Sequence, residues 1–253
     1  MSNRMILITG AGSGFGRGAA LALAAGGHDV IAGTLDEAQA EALAAEAPDN
    51  LQAMKLDITD PADLVAAGDL GPDVLLNNAG RGQLGPMADV PIELVREVFE
   101  VNVFGTMAIT RAVIPAMKQV GRGRIIVVSS IAGLFSGPLS GPYAMTKHAL
   151  EAFAKSLRVE MEPYGIDVCK LNPGPYATGF NDAMVDGVDE QLAGTSGPTE
   201  LDLAASTRTR MLSKQLDPSE IVDTMVELCT AETVPFETFK PDDILERYGL
   251  PPR

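Results

Sequence analysis

Short apolar runs alternate with longer stretches of helical periodicity along most of the chain. Several of the runs are nearly continuous rather than alternating, which is typical of parallel strands buried on both faces. They predict strands at residues 5–9, 29–33, 51–56, 73–77, 124–129 and 166–171. The stretches between them predict helices at 14–26, 36–47, 61–67, 91–119 and 142–162. This order predicts a doubly wound parallel α/β sheet with helices on both faces.

Local sequence signals predict where two helices begin and add one further strand. Asp36 and Asp60 are predicted N-caps, and Pro61 suits the first helical position. The run "FETF" at 236–239 predicts a seventh strand. No repeat and no composition shift marks a second domain, so we expect a single domain over residues 1–253.

Residues 179–217 have broken periodicity and follow the sixth strand. They come at the carboxyl edge of the sheet, where open α/β folds bind ligands. We therefore expect a mobile, partly helical lid over the substrate. The alternative is a surface insertion without a role.

Composition narrows the class of protein. Hydrophobic residues make up 46% and charged residues 21% of the 253 residues, as in globular proteins. The net charge of −15 argues against a nucleic-acid or anionic-membrane partner. Cys169 and Cys229 lie in apolar stretches without metal-ligand spacing, which predicts buried free thiols and no metal site. No apolar run suits a signal peptide or a membrane span, so we expect a cytoplasmic protein.

The helix predicted at 142–162 places a phenol and an ammonium, Tyr143 and Lys147, one turn apart on the same face. That face continues with Leu150, Ala154, Leu157 and Met161. A lysine on the buried side of a helix is uncommon, because its charge resists desolvation. Either its ammonium reaches water along the stem, or the fold requires a cation there.

A glycine-rich turn, "TGAGSGFG" at 9–16, follows the first strand and opens the first helix. Glycines let the backbone approach a diphosphate, and the free helix N–H groups face the anion. The literal G-x-G-x-x-G pattern is absent, and such turns can also merely close tight strand–helix packing. The strand before and the helix after favour phosphate binding.

Four further motifs occur in order: "NNAG" at 77–80, "VNVFG" at 101–105, "VSS" at 128–130 and "NPGPYAT" at 172–178. With the glycine turn and the Tyr143–Lys147 pair, they make the chain resemble the short-chain dehydrogenase/reductase family from residue 5 to about 178. The resemblance implies a Rossmann-like fold and an NAD(P)-dependent oxidoreductase that interconverts a secondary alcohol and a ketone by hydride transfer. The alternatives are an epimerase, lyase or dehalogenase on the same fold, or a non-catalytic dinucleotide sensor.

The resemblance also assigns roles to residues. Tyr143 would be the general acid or base, and Lys147 would favour its phenolate and hold the nicotinamide ribose. Ser130 would hydrogen-bond the reacting oxygen. Asn102 would interrupt its long helix and hold a water for proton relay. The other implied cofactor contacts are Gly10, Ser13, Gly14, Phe15, Gly16, Thr34, Leu35, Asp57, Ile58, Asn78, Ala79, Gly80, Pro173, Gly174, Tyr176 and Thr178.

The end of the second strand normally distinguishes the two nicotinamide cofactors. An acid there accepts from the adenosine ribose, and an arginine attracts the 2′-phosphate of NADP. Thr34 and Leu35 supply neither charge, so we expect NAD or NADP with a slight preference for NAD. Arg17 and Arg81 are the first candidates for a phosphate contact if NADP is used.

The expected substrate is an uncharged alcohol or ketone of moderate size, because the predicted pocket residues are apolar or amphipathic. These residues are Leu134, Phe135, Leu139, Tyr176, Phe180 and Met184. At Tyr176 the chain departs from the small aliphatic residue usual in the family. His28 and His148 are expected to have no catalytic role. The resemblance implies a homodimer or homotetramer that packs through its long helices.

Overall fold

Seven parallel strands form one sheet in the structure, a computed structural model that describes residues 3–192 and 198–252. The strands are β1 Met5–Thr9, β2 Asp29–Thr34, β3 Leu51–Lys55, β4 Val74–Asn77, β5 Gly123–Val128, β6 Ile166–Pro173 and β7 Glu237–Lys240. Their order in the sheet is β3-β2-β1-β4-β5-β6-β7, so the winding reverses between β1 and β4. The predicted doubly wound fold is confirmed, and each predicted strand lies within two residues of the observed one.

Helices cover both faces of this sheet. They are α1 Gly14–Ala25, α2 Glu37–Ala44, α3 Pro61–Leu70, α4 Ile92–Phe99, α5 Thr106–Val120, α6 Gly141–Met161, α7 Phe180–Leu192, α8 Pro198–Leu212, α9 Ser219–Thr230 and α10 Ile244–Arg247. Both predicted N-caps are confirmed: Asp36 accepts from the Gln39 amide and Asp60 from the Ala62 amide, each at 2.8 Å.

Two apolar layers hold the helices to the sheet. One face packs against α1 and the unpredicted α9, whose Ile221, Met225 and Leu228 are buried. The other face packs against α3, α5 and α6. The α6 residues predicted to face the core lie in this second layer, which confirms the stripe: Leu150, Ala154, Leu157 and Met161. Cys169 and Cys229 are buried free thiols, as predicted.

The helix predicted over 91–119 is not continuous. A π-helical segment, Glu100–Gly105, separates α4 from α5. Such a segment widens the helix locally and is frequent at functional sites. The whole run Ile92–Val120 is long and apolar enough, by length and composition, to cross a membrane. Its Ile109 and Val113, however, are buried against the sheet like those of an ordinary core helix.

Helices α7 and α8 follow β6 and occupy most of the segment expected to form a lid. Residues 193–197 of that segment lie outside the described part of the chain. A third apolar cluster joins these helices to the chain near Leu84 and Leu139 through Met184, Val185 and Val188. The two helices therefore cover the carboxyl edge of the sheet beside α6. Mobility of the segment stays a prediction.

Candidate active site

One cavity at the carboxyl edge of the sheet brings together three of the four predicted catalytic residues. Ser130 follows β5 directly, and Tyr143 and Lys147 lie in the first two turns of α6. Parallel strands end at the same edge of a sheet, which is why residues far apart in sequence meet here. The fourth, Asn102, lies in the π-helical segment and is buried.

Lys147 is buried, which confirms that this lysine is on the core side of α6. Its Nζ donates to the Val128 carbonyl at 3.0 Å and lies 5.5 Å from the centroid of the Tyr143 ring. Burial lowers the pKa of Lys147 to about 8, and the negative charge of Glu151 partly opposes this. Within the described chain the Val128 carbonyl is the one hydrogen-bond acceptor of this ammonium, so two of its three N–H groups remain for a ligand.

Two influences act on the pKa of the Tyr143 phenol. Burial raises its pKa, and a hydrogen bond with Ser130 acts in the opposite direction. Desolvation is the largest influence on this pKa, and the Lys147 ammonium is held by the Val128 carbonyl. The predicted effect of Lys147 on the phenolate stays a prediction. The phenol ring packs against Phe180 with 5.7 Å between ring centroids. The phenol is therefore protonated at neutral pH.

Asn102 joins the loop after β4 to α6. Its Nδ2 donates to the Arg81 carbonyl at 2.9 Å and to Thr146 Oγ1 at 3.1 Å, while its Oδ1 accepts from the Arg81 amide at 2.8 Å. A Cβ at Gly80 would lie 3.2 Å from this Oδ1 and 4.0 Å from Lys147 Nζ. The predicted helix interruption at Asn102 is confirmed. The predicted water relay stays a prediction.

A buried ion cluster, made of Glu151, Lys170, Asn172 and Glu237, lies behind Ser130. Lys170 is fully buried, and its Nζ contacts Glu151 at 2.5 Å and Glu237 at 2.9 Å. Asn172 Nδ2 donates to Glu151 Oε1 at 2.6 Å and to the Ser130 carbonyl at 3.0 Å. The cluster therefore ties α6, β6 and β7 to the main chain of Ser130. The sequence analysis missed it.

The glycine turn and the "NNAG" segment are in contact. Asn78 Nδ2 donates to the carbonyls of Thr9 at 3.1 Å and Gly10 at 3.0 Å. A Cβ at Gly16 would lie 2.4 Å from the Gly10 oxygen, so only glycine fits at the first turn of α1. Gly14 has φ +54°, a conformation that favours glycine. These two glycines let α1 begin in close contact with the Gly10 carbonyl and the "NNAG" segment.

The other predicted cofactor positions fall into two groups. Lining the cavity are Phe15, Asn78, Gly80, Pro173, Gly174, Tyr176 and Thr178. Outside its walls, on the chain around the carboxyl ends of β1 to β4, are Gly10, Ser13, Gly14, Gly16, Thr34, Leu35, Asp57, Ile58 and Ala79. The Asp57 carboxylate accepts from the Thr59 amide at 2.9 Å and hydroxyl at 2.7 Å. Its predicted contact with adenine stays a prediction.

Tyr176, the departure from the family pattern, is buried in the cavity wall. Its hydroxyl donates to Glu220 Oε2 on α9 at 2.6 Å, and its ring meets Phe15 edge-on with 5.8 Å between centroids. Burial, together with the Glu220 hydrogen bond and charge, raises the pKa of Tyr176. The phenol is therefore a structural group that fixes this wall to α9.

Four of the six predicted substrate residues line the cavity: Phe135, Tyr176, Phe180 and Met184. Leu134 and Leu139 do not; Leu139 is buried in the third apolar cluster instead. Sequence reasoning missed several cavity residues because no motif marks them: Ser140, Asn181, Arg210, Met211 and Tyr248. They reach the cavity because α6, α7, α8 and the chain after α10 converge on it.

Proteins of known sequence match most of this chain. The family model for short chain dehydrogenase matches residues 4–189. The uncharacterized oxidoreductase YusZ of Bacillus subtilis is 35% identical over 245 residues, which cover 92% of this chain and 87% of YusZ. Dehydrogenase/reductase SDR family member 9 of Bos taurus is 39% identical over 193 residues; the match covers 72% of this chain but only 59% of that longer protein.

Solved structures match the fold over nearly the whole chain. The 3-ketoacyl-(acyl-carrier-protein) reductase of Brucella melitensis, complexed with NADH, has a TM-score of 0.78 and 28% identity, covering 93% of this chain and 95% of its own. A short-chain dehydrogenase of Sphingobium yanoikuyae, in complex with NADPH, has a TM-score of 0.78 and 26% identity, covering 97% of this chain and 91% of its own.

Proposed function

Because this chain belongs to the short-chain dehydrogenase family and is thus an oxidoreductase, we propose that it is an NAD(P)-dependent alcohol dehydrogenase or carbonyl reductase. It interconverts a secondary alcohol and a ketone by hydride transfer. The observation that carries the proposal is the meeting of Ser130, Tyr143 and Lys147 in one cavity next to the glycine turn. A proton donor, a second hydroxyl and a cation are the groups that such a reaction requires.

The residues present fit a nicotinamide dinucleotide. The α1 N-terminus, cleared of side chains at Gly14 and Gly16, would hold the diphosphate, and the free N–H groups of Lys147 would hold the nicotinamide ribose. When bound, the cofactor supplies or accepts the hydride. Related structures with NADH and with NADPH support the cofactor class without separating the two.

In this proposal Tyr143 transfers the proton. Burial raises the pKa of its phenol, so in the reducing direction it donates a proton to the carbonyl oxygen. Ser130, which shares a hydrogen bond with this phenol, holds the same oxygen. Lys147, whose pKa is about 8, is mostly charged at neutral pH and stabilises the negative charge that develops on the phenol oxygen. In the oxidising direction the proton moves back to Tyr143.

We propose NAD(H) as the preferred cofactor. The two cations considered for a 2′-phosphate are both ion-paired: Arg17 with Glu46, and Arg81 with Glu97 at 3.0 Å. Both pairs are exposed and cost little to break. The preference therefore rests on Thr34 and Leu35, which supply no cation at the end of β2, where NAD needs none. Fluorescence titrations with NADH and NADPH test this directly, and tighter NADPH binding would contradict it.

The decisive experiment is Tyr143→Phe, assayed for cofactor binding and for turnover of a panel of alcohols and ketones. We expect unchanged NADH binding and turnover lowered about 10²–10⁴-fold, because the ring stays and only the proton donor is lost. Tyr164→Phe, at an exposed tyrosine outside the cavity, is the matched control. Undiminished turnover in Tyr143→Phe would refute its role. Product formation without net redox change would favour an epimerase, lyase or dehalogenase.

A further inference from the structure

Arg210 on α8 is a cation in the wall of the cavity that contains Tyr143. Its guanidinium lies over the backbone of the loop before α6. A Cβ built at Gly137 would be 2.9 Å from Nη1 and 3.2 Å from Nη2 of Arg210. Arg210 is exposed on α8, and its side chain lies between this loop and the cavity that it lines.

The charges around this cavity are uneven. None of the described residues that line it is an aspartate or a glutamate, although the chain has a net charge of −15. Its cations are Lys147, at the reacting end, and Arg210. No ion pair of Arg210 occurs among the residues that the structure describes, whereas Arg208 on the same helix pairs with Asp186 at 3.6 Å. The guanidinium is thus available to an anion that enters the cavity.

The two cations have different neighbours. Tyr143, next to Lys147, borders Ser130 and Phe180, while Arg210 borders Gly137. Burial raises the pKa of Tyr248, and the positive charge of Arg210 opposes this. The Tyr248 ring packs edge-on against Phe135 at 5.2 Å between centroids. Met184 and Met211 complete the apolar wall. The cavity wall thus combines hydroxyl groups, apolar side chains and a guanidinium.

We propose that Arg210 binds a carboxylate of the substrate, so that the substrate class is an oxo or hydroxy carboxylic acid with an apolar body. This inference rests on the proposed function and replaces the uncharged substrate expected from the sequence. A carboxylate matches the planar fork of a single guanidinium. A phosphate dianion usually requires more donors than this apolar wall provides.

The test compares oxo acids of increasing chain length with their methyl esters, which differ only in the charge. For the chain length that fits, we expect kcat/KM for the acid to exceed that for the ester about tenfold to a hundredfold, mainly through KM. Arg210→Gln loses this preference and Arg210→Lys keeps part of it. Lys214→Gln, an exposed cation outside the cavity, is the matched control and keeps the preference.

Three results would overturn the proposal. They are equal turnover of acids and esters by the native protein, a preference that survives in Arg210→Gln, and weaker NADH binding in Arg210→Gln, which would assign the guanidinium to the cofactor. If no carbonyl compound is turned over, the proposed function fails instead. Calorimetric titration of the same acids and esters into native protein and Arg210→Gln then decides the anion site on its own.

Discussion

Replacing Lys170 with methionine removes the cation of the buried ion cluster while keeping a side chain of similar length. The lysine is fully buried, and the Glu151 carboxylate that it contacts at 2.5 Å is only 6% exposed. Glu237 is 20% exposed and can turn to water. Most of the lost stability should therefore come from leaving the Glu151 carboxylate buried without its cation. Breaking a buried ion pair costs about 3–5 kcal/mol. For a domain of this size we expect a Tm lower by about 6–20 °C, measured by circular dichroism.

Two further variants separate the charge from the packing. Glu151→Gln combined with Lys170→Met also removes the buried charge of Glu151, so it should recover much of the lost stability. Lys155→Met, an exposed lysine on the same helix as Glu151, should stay within about 0.5 kcal/mol of the native protein. A Lys170→Met protein as stable as the native one would refute the reasoning. A double variant no better than the single one would assign the loss to packing.

Two predictions concern titrating groups. Burial lowers the pKa of Lys147 to about 8 from 10.5, so between these values the unfolded chain binds more protons than the folded one. The free energy of unfolding of the native protein, relative to that of Lys147→Met, should therefore rise with pH across this window. Urea titrations of both proteins measure it, and a difference in unfolding free energy that does not change with pH would contradict the burial of Lys147. Burial also raises the pKa of Cys169 to about 12 and that of Cys229 further still. Neither thiol should react with a disulfide reagent until the protein unfolds, and rapid labelling of folded protein would count against this.

The parts of the fold that depend on local pattern were predictable from the sequence. Continuous apolar runs predicted the strands, and the spacing from Leu150 to Met161 predicted the buried face of α6. The π-helical segment at Glu100–Gly105 could not be predicted from apolar periodicity, which does not distinguish an added residue per turn from an ordinary helix. Only the family resemblance indicated an interruption at Asn102. The helix α9 was missed although Ile221, Met225 and Leu228 have helical spacing.

The candidate site shows the same contrast between residues that a local pattern predicts and residues that only the tertiary packing brings in. Residues in motifs, such as Ser130 and Tyr143, were found because their spacing is fixed by the elements that carry them. Arg210 and Tyr248 were missed because they reach the cavity only through the docking of α8 and the C-terminal chain. The sequence did contain a signal for the ion cluster. Lys170 lies between the apolar residues Cys169 and Leu171 of β6, and a lysine buried there requires a partner.

Glu151 connects the stability of this fold to its chemistry. It pairs with Lys170 at 2.5 Å, and it lies one turn after Lys147, where its negative charge opposes the lowering of the pKa of that lysine by burial. Through Asn172 it also fixes the carbonyl of Ser130. One buried carboxylate therefore helps to hold the charge of Lys147 and the position of Ser130. Loss of this carboxylate would therefore disturb the buried ion pair and two of the predicted catalytic residues together.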